Sequence, residues 1–173
     1  MEFETKTISR QIGDLLYDSN YTVGTAESCT GGRIGEALIA IPGASNYFKG
    51  GIISYTNEVK ENLLQVSHET LEAQTAVCED VARQMALGAI KALNVDFAVS
   101  VTGVAGPGGG TPDIPVGTIW IACGTKDNLR TLKLENDFGR DINLAIATNK
   151  ALRLLLQVVT ERLNEDEENE KNP

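Results

Sequence analysis

The sequence has one histidine, three scattered cysteines, few aromatic side chains and no long apolar run, and each shortage closes off a class of function. With His68 alone, a histidine-based metal cluster is excluded, and a Ser-His-Asp triad would have to use that residue as its base. His68 falls in Ser67-His68-Glu69-Thr70-Leu71, which reads as a capped helical turn with Ser67 at the N-cap, so an exposed structural role is expected. Cys29, Cys78 and Cys123 are odd in number and show no CxxC spacing, which argues against a disulfide framework and a thiolate metal site. No apolar stretch reaches the roughly 18 residues of a spanning helix, and Met1-Glu2-Phe3-Glu4-Thr5-Lys6 lacks the apolar core of a secretory signal. The expectation is a cytoplasmic chain with no membrane partner.

Positive charge is scarce as well: 15 Lys and Arg against 24 Asp and Glu give a net charge of −9. Residues 161–173 hold six acids and two bases and contribute −4, so the rest of the chain carries −5. That balance argues against nucleic acid as a partner. The ending Asn164-Glu165-Asp166-Glu167-Glu168-Asn169-Glu170 has no apolar periodicity and reads as part of an acidic, disordered tail over 164–173, which leaves 1–163 as one domain.

What is present is an aliphatic α/β pattern. Ile8, Ile12, Leu15 and Leu16 recur at helical spacing and predict a helix that stops near Ser19-Asn20, before a strand at Thr22 to Ala26. A second helix is predicted from Thr30 to Ile41, closed by Pro42-Gly43. Tyr47 to Tyr55 reads as a strand with a bulge or bend at Gly50-Gly51, followed by a short helix carrying Lys60, Leu63 and Leu64. Cys78 to Leu93 is amphipathic and feeds an apolar strand at Phe97 to Val101. Residues 103–115 form a glycine- and proline-rich loop, followed by a strand pair near 116–123 and 129–134. A last helix over 141–163 turns Leu144, Ile146, Ala147, Ala151, Leu154 and Leu155 inward. The fold class is α/β, a three-layer α/β/α sandwich around a mixed sheet, in a single domain.

The chemistry gathers where predicted strands end, as ligand sites do in such folds. Thr25-Ala26-Glu27-Ser28-Cys29-Thr30-Gly31-Gly32 reads as a strand running into a glycine turn that opens a helix, a position suited to a nucleophile or an anion contact at Ser28. Cys29 reads as a small half-buried thiol. Because a histidine base is not at hand, a partly desolvated lysine or a tyrosine is the available activator of Ser28. Tyr55 and Lys60 supply such a pair on a strand-to-helix turn, although spacing alone favours a Tyr55 that caps the core and a Lys60 solvated on its helix. Thr102 ends the apolar strand before the glycine loop, and Arg140 opens the last helix, where it could hold phosphate or pair with acids.

The runs TAESCTGG (25–32), GGIISYTNEVK (50–60), SVTGVAGPGGGTPDIPVGTIW (100–120) and FGRD (138–141), in this order, resemble the C-terminal domain of the CinA competence/damage-inducible proteins over roughly residues 6–160. Stand-alone members of that family are nicotinamide mononucleotide deamidases. The resemblance implies an amidohydrolase of pyridine nucleotide salvage, releasing nicotinate mononucleotide and ammonia with no metal or cofactor. It implies Ser28 as the nucleophile, Tyr55 and Lys60 as its activating pair with either as the immediate base, and Thr102 and Arg140 as further polar site residues. Backbone amides near Thr30 and Gly31, or around Gly103, would stabilise the oxyanion, while Arg140 and the loop from Gly106 to Gly110 would hold the phosphate. A homodimer or larger homo-oligomer is implied too. One departure stands out: the family's Gly-Asp-Arg run with a second arginine four positions on is here Phe138-Gly139-Arg140, with Leu144 at the later position.

Two other readings belong to different classes. A member without catalysis could keep the pocket as a nucleotide sensor, or the chain could be an interaction protein linked to competence or DNA damage. The acidic body and the joint presence of Ser28, Tyr55, Lys60 and Thr102 favour the enzyme.

Overall fold

A computed structural model describes residues 2–171; Met1 and the last two positions of the expected tail lie outside the described residues. The chain begins with helix α1 (Glu2–Leu16), then strand β1 (Val23–Glu27), helix α2 (Arg33–Ile39) and strand β2 (Phe48–Ile53). Three helices follow, α3 (Asn57–Leu64), α4 (His68–Gln74) and α5 (Glu79–Leu93), before β3 (Phe97–Gly103), β4 (Ile119–Gly124), β5 (Leu129–Leu134) and the long α6 (Arg140–Lys171). The sheet order is β2-β1-β3-β4-β5. β1 pairs parallel with both β2 and β3, because helical crossovers separate them, whereas short links let β3, β4 and β5 pair antiparallel.

β1 is buried on both faces, as a central parallel strand should be, and β2 alternates between part-buried and exposed as an edge. Opposite Val23 and Gly24 stand Phe48 and Gly50, so Lys49 is the extra residue of a bulge one position before the expected glycine pair. On one face of the sheet, Ile8, Ile12, Leu38, Ala147, Ala151 and Leu155 pack with Val99, Val101 and Ile121. On the other, Leu64, Val81, Met85 and Ala89 pack with Ala26 and Ala98. The three-layer expectation is met: helices flank both faces of one mixed sheet.

The bounds of two helices and the buried face of one of them differ from the sequence reading. α2 starts at Arg33 and not at Thr30, because Gly31 (φ 61) and Gly32 (φ 101) are left-handed and form a turn ahead of it. α6 buries Leu152 and Val159 in addition to Leu144, Ala147, Ala151 and Leu155, while Ile146 and Leu154 are only partly buried. It also continues to Lys171, so the described part of the expected disordered tail is helical. One-turn ion pairs, Arg162 with Asp166 (3.3 Å) and Lys171 with Glu167 (3.8 Å), support that extension, and the Tyr21 hydroxyl donates to Asp166. By length and composition α6 could cross a membrane, but its apolar face is buried against the sheet, making it a core helix.

Candidate active site

Strand β1 ends at Glu27, and the next residue continues its ladder by one bond: the Ser28 amide donates to Val101 O at 2.9 Å. The chain then turns sharply, with the Gly31 amide donating back to Ser28 O at 3.1 Å. Ser28 is 7% exposed. Alternation along the strand sends Glu27 to the α2 face and Ser28 to the face covered by α3 and α5.

Lys60 comes to meet it there. Thr56 caps α3 by accepting from the Val59 amide at 3.4 Å, which fixes the first turn and carries Lys60 inward. Lys60 is only 1% exposed, and its Nζ stands 3.0 Å from Ser28 Oγ and 2.7 Å from Ser54 O, to which it donates. Ser54 in turn donates its amide to Glu27 O at 2.8 Å, so one residue clips the ends of β1 and β2 together and orients the lysine. Burial pulls the Lys60 ammonium down to about 8. A neutral amine there can keep a hydrogen on Ser54 O and offer its lone pair to the Ser28 hydroxyl.

The amides of Cys29 and Thr30 meet no carbonyl acceptor among the described residues, whereas that of Gly31 is committed to Ser28 O. Next to Ser28 the structure thus leaves the Thr30 amide and, in place of that of Gly31, the Cys29 amide free of carbonyl acceptors among the described residues. Thr30 Oγ1 and Ser54 Oγ are buried without partners among the described residues, leaving unspent one hydroxyl two residues after Ser28 and one on the residue whose carbonyl holds Lys60. Gly31, at φ 61, has nothing within 4 Å of where a Cβ would stand, so the turn is open to an incoming group. Burial pushes the Cys29 thiol up to about 11, outweighing its own amide and the positive charges of Lys60 and Arg140. At neutral pH it is a thiol and a poor nucleophile.

The remaining expected residues are placed unevenly. Thr102 follows Val101, the register partner of Glu27, and so lies beside Ser28 on the same face; its hydroxyl donates to Ala76 O at 2.8 Å. Tyr55 is 65% exposed and shares no hydrogen bond with Lys60 or Ser28 among the described residues. The outcome inverts the spacing-based alternative, with the lysine inside and the tyrosine outside. Arg140 is exposed and donates to Gly106 O at 2.8 Å, which ties the glycine loop to the start of α6. Gly103 is hemmed in by Ile119 Cα and Thr118 O, 2.6 and 2.7 Å from where a Cβ would stand, so close strand packing accounts for that glycine. Leu144 is buried in the core, so the position where the family carries a second arginine serves packing here.

His68 stays outside this group, exposed on α4 with Nδ1 3.1 Å from Glu61 Oε1, a contact that raises its basicity. A hollow of about 400 Å³ between β4, β5 and α6 is lined by Lys133, Phe138, Asn143 and Lys150, among others, and by none of the expected site residues. Two contributors escape a reading of the sequence. Ser54 acts through its backbone, which leaves no side-chain signal. Glu27 accepts from the amides of Gly32 (3.0 Å), Ile34 (3.2 Å) and Gly35 (2.9 Å), and strand alternation is the signal that directs it to that face.

Comparison with known proteins points one way. The family described as the CinA C-terminal domain matches residues 5–159. A CinA-like protein of Leptospira borgpetersenii serovar Hardjo-bovis (strain L550) is 48% identical over 123 residues, 71% of this chain and 29% of that protein. A CinA-like protein of Thermosynechococcus vestitus is 45% identical over 152 residues, 86% of this chain and 36% of its own length. The match thus spans about a third of these curated relatives. Among solved structures, the competence/damage inducible protein CihA from Agrobacterium tumefaciens superposes with a TM-score of 0.87 at 37% identity, covering 90% of this chain and 95% of that one. A CinA superfamily protein from Klebsiella pneumoniae 700603 gives 0.86 at 29% identity, covering 91% and 98%.

Proposed function

Since the chain belongs to the CinA C-terminal domain family, we propose that it is an amidohydrolase that converts nicotinamide mononucleotide and water into nicotinate mononucleotide and ammonia. The family includes nicotinamide mononucleotide amidases. The observation that carries this reading is the buried lysine: Lys60 Nζ stands 3.0 Å from Ser28 Oγ, with burial holding its basicity near neutrality.

Neutral Lys60 accepts the Ser28 proton as Oγ attacks the carboxamide carbon. The oxyanion is stabilised by the Cys29 and Thr30 amides, each donor of this kind contributing on the order of 3 kcal/mol. As the tetrahedral intermediate collapses, Lys60 gives its proton to the departing nitrogen, and ammonia leaves an acyl-serine. Water then loses a proton to Lys60 and attacks the ester, and Ser28 recovers its hydrogen. The Thr30 hydroxyl offers a contact to the substrate, and Thr102 closes the same face beside Ser28. Arg140, exposed at the mouth of the glycine loop near Gly106, is the phosphate anchor, using the guanidinium N–H groups left over from its bond to Gly106 O. Tyr55 is exposed and shares no hydrogen bond with Lys60 or Ser28 among the described residues, so in this mechanism Lys60 acts as the base without it.

The same reading places the protein in the cytoplasm within pyridine nucleotide salvage, as a homodimer or larger homo-oligomer that needs neither metal nor cofactor. Incubating the purified protein with nicotinamide mononucleotide and measuring ammonia tests it, with Ser28→Ala as the control. Ammonia from the native protein and none from the variant is the expected result. Binding of the nucleotide without ammonia release would overturn the enzyme reading in favour of a sensor.

A further inference from the structure

Glu27 is 1% exposed, and among the described residues its carboxylate is held by no lysine or arginine side chain. Its partners are backbone amides: Oε2 accepts from Gly32 and Ile34, and Oε1 from Gly35. These are the amides a helix start leaves unpaired, and the N-cap residue of α2, Gly32, has no side chain with which to satisfy them. The cap is supplied instead by the last residue of the preceding strand.

Two consequences follow from that arrangement. The start of α2 already holds an anion, so a substrate phosphate cannot use it. The turn from Ser28 to Gly32 is tied at both ends, to Val101 O through the Ser28 amide and to the Glu27 carboxylate through the Gly32 amide. Glu27 and Ser28 point to opposite faces of the sheet, so the turn is gripped on the α2 face while the hydroxyl works on the other.

We infer that Glu27 is a positioning residue for Ser28, its carboxylate fixing the 28–32 turn so that Oγ meets Lys60 and the Cys29 and Thr30 amides stay unpaired. The inference rests on reading Ser28 as a nucleophile, and it does not depend on which amide the protein hydrolyses. Removing the carboxylate frees three amide donors at the start of α2 and lets the turn relax. A displacement of ~1 Å at a reacting atom costs about 100-fold in rate.

The test follows the labelling rate of Ser28 by a fluorophosphonate, in which an Oγ–P bond forms, the P–F bond breaks, fluoride leaves and Lys60 takes the serine proton. Glu27→Ala should label about 100-fold more slowly than the native protein. Added formate, which can enter the vacated space and accept from the same amides, should restore much of the loss, and neutral formamide should not. Glu27→Gln keeps the volume but turns an amide donor toward amide donors, so it should be slow and unresponsive to formate. Circular dichroism checks that each variant is folded. Native-rate labelling in Glu27→Gln, or equal rescue of Glu27→Ala by formate and formamide, would overturn the inference. A native protein that takes the label but leaves nicotinamide mononucleotide intact would lose the proposed substrate and retain the role of Glu27, whereas a native Ser28 that resists the label would sink both.

Discussion

Lys60 Nζ lies 3.0 Å from Ser28 Oγ, and the burial that brings the two together also sets the protonation state of the lysine. An exposed lysine would be almost wholly charged near neutral pH and could not accept a proton. Here desolvation lowers the lysine to about 8, which under the proposed mechanism supplies the base without a histidine.

This fixes the expected pH dependence. The active form carries neutral Lys60, so kcat/KM should rise about tenfold per pH unit below the lysine's pKa and level off above about 8. Ammonia release measured from pH 6 to 10 checks it. Lys60→Arg, charged across that range, should abolish the rise along with the activity. A flat profile in the native protein would remove Lys60 as the base.

The same burial costs stability. The folded-state value of about 8 lies below the ordinary 10.5, so the unfolded chain binds the proton more tightly and native stability increases as pH climbs from about 8 to 10.5. Below pH 8 the penalty is fully present, at about 3 kcal/mol. Lys60→Met should therefore be inactive yet more stable at pH 7 by about 1–2 kcal/mol, after allowing for the hydrogen bonds to Ser28 and Ser54 that methionine cannot make. Urea denaturation at pH 7 and pH 10 should show that advantage shrinking with pH. A variant less stable at pH 7 would mean that the ammonium's hydrogen bonds outweigh its burial.

The helix that carries Lys60 is placed by a close approach. A Cβ at Gly88 on α5 would lie 2.0 Å from Leu64 O, at the end of α3. Gly88→Ala has to push α3 away, so it should destabilise the fold by about 1–3 kcal/mol and lower kcat by shifting the lysine. Denaturation midpoints and kcat, measured together, check both effects. An intact kcat would show that α3 absorbs the shift before it reaches Lys60.

Strain sits beside the site as well. Thr75 (φ 67, ψ 175) occupies a region almost reserved for glycine, immediately before the Ala76 carbonyl that holds Thr102. Thr75→Gly should raise stability by about 1 kcal/mol, or ~3 °C in Tm, and leave activity near the native level. Calorimetry reads the sign directly, and a lower Tm would show that the threonine side chain contributes more than its backbone costs.

Much of this is legible in the sequence, for reasons that differ by element. The alternation of strands and helices is visible because glycine and proline punctuate it, and Ser28 stands out because a strand runs into Gly31-Gly32. Which of Tyr55 and Lys60 turns inward is not visible, since it depends on the Thr56 cap and on the packing of α3 against Gly88. The role of Glu27 is hidden because its partners only converge once both glycines adopt left-handed conformations. The composition of the last residues suggests disorder where α6 continues, although its one-turn charge pairs can be read from spacing; the Tyr21–Asp166 contact, 145 residues apart, cannot.

Ser54 aligns the lysine through its carbonyl, a group that every amino acid carries. Replacing the Ser54 side chain by another small one leaves the carbonyl contact to Lys60 in place. Proline, which lacks the N–H that Ser54 gives to Glu27 O, would open the clip. The placement of that lysine thus depends on the backbone at position 54 and not on the hydroxyl, while full burial of the position restricts its side chain to small groups.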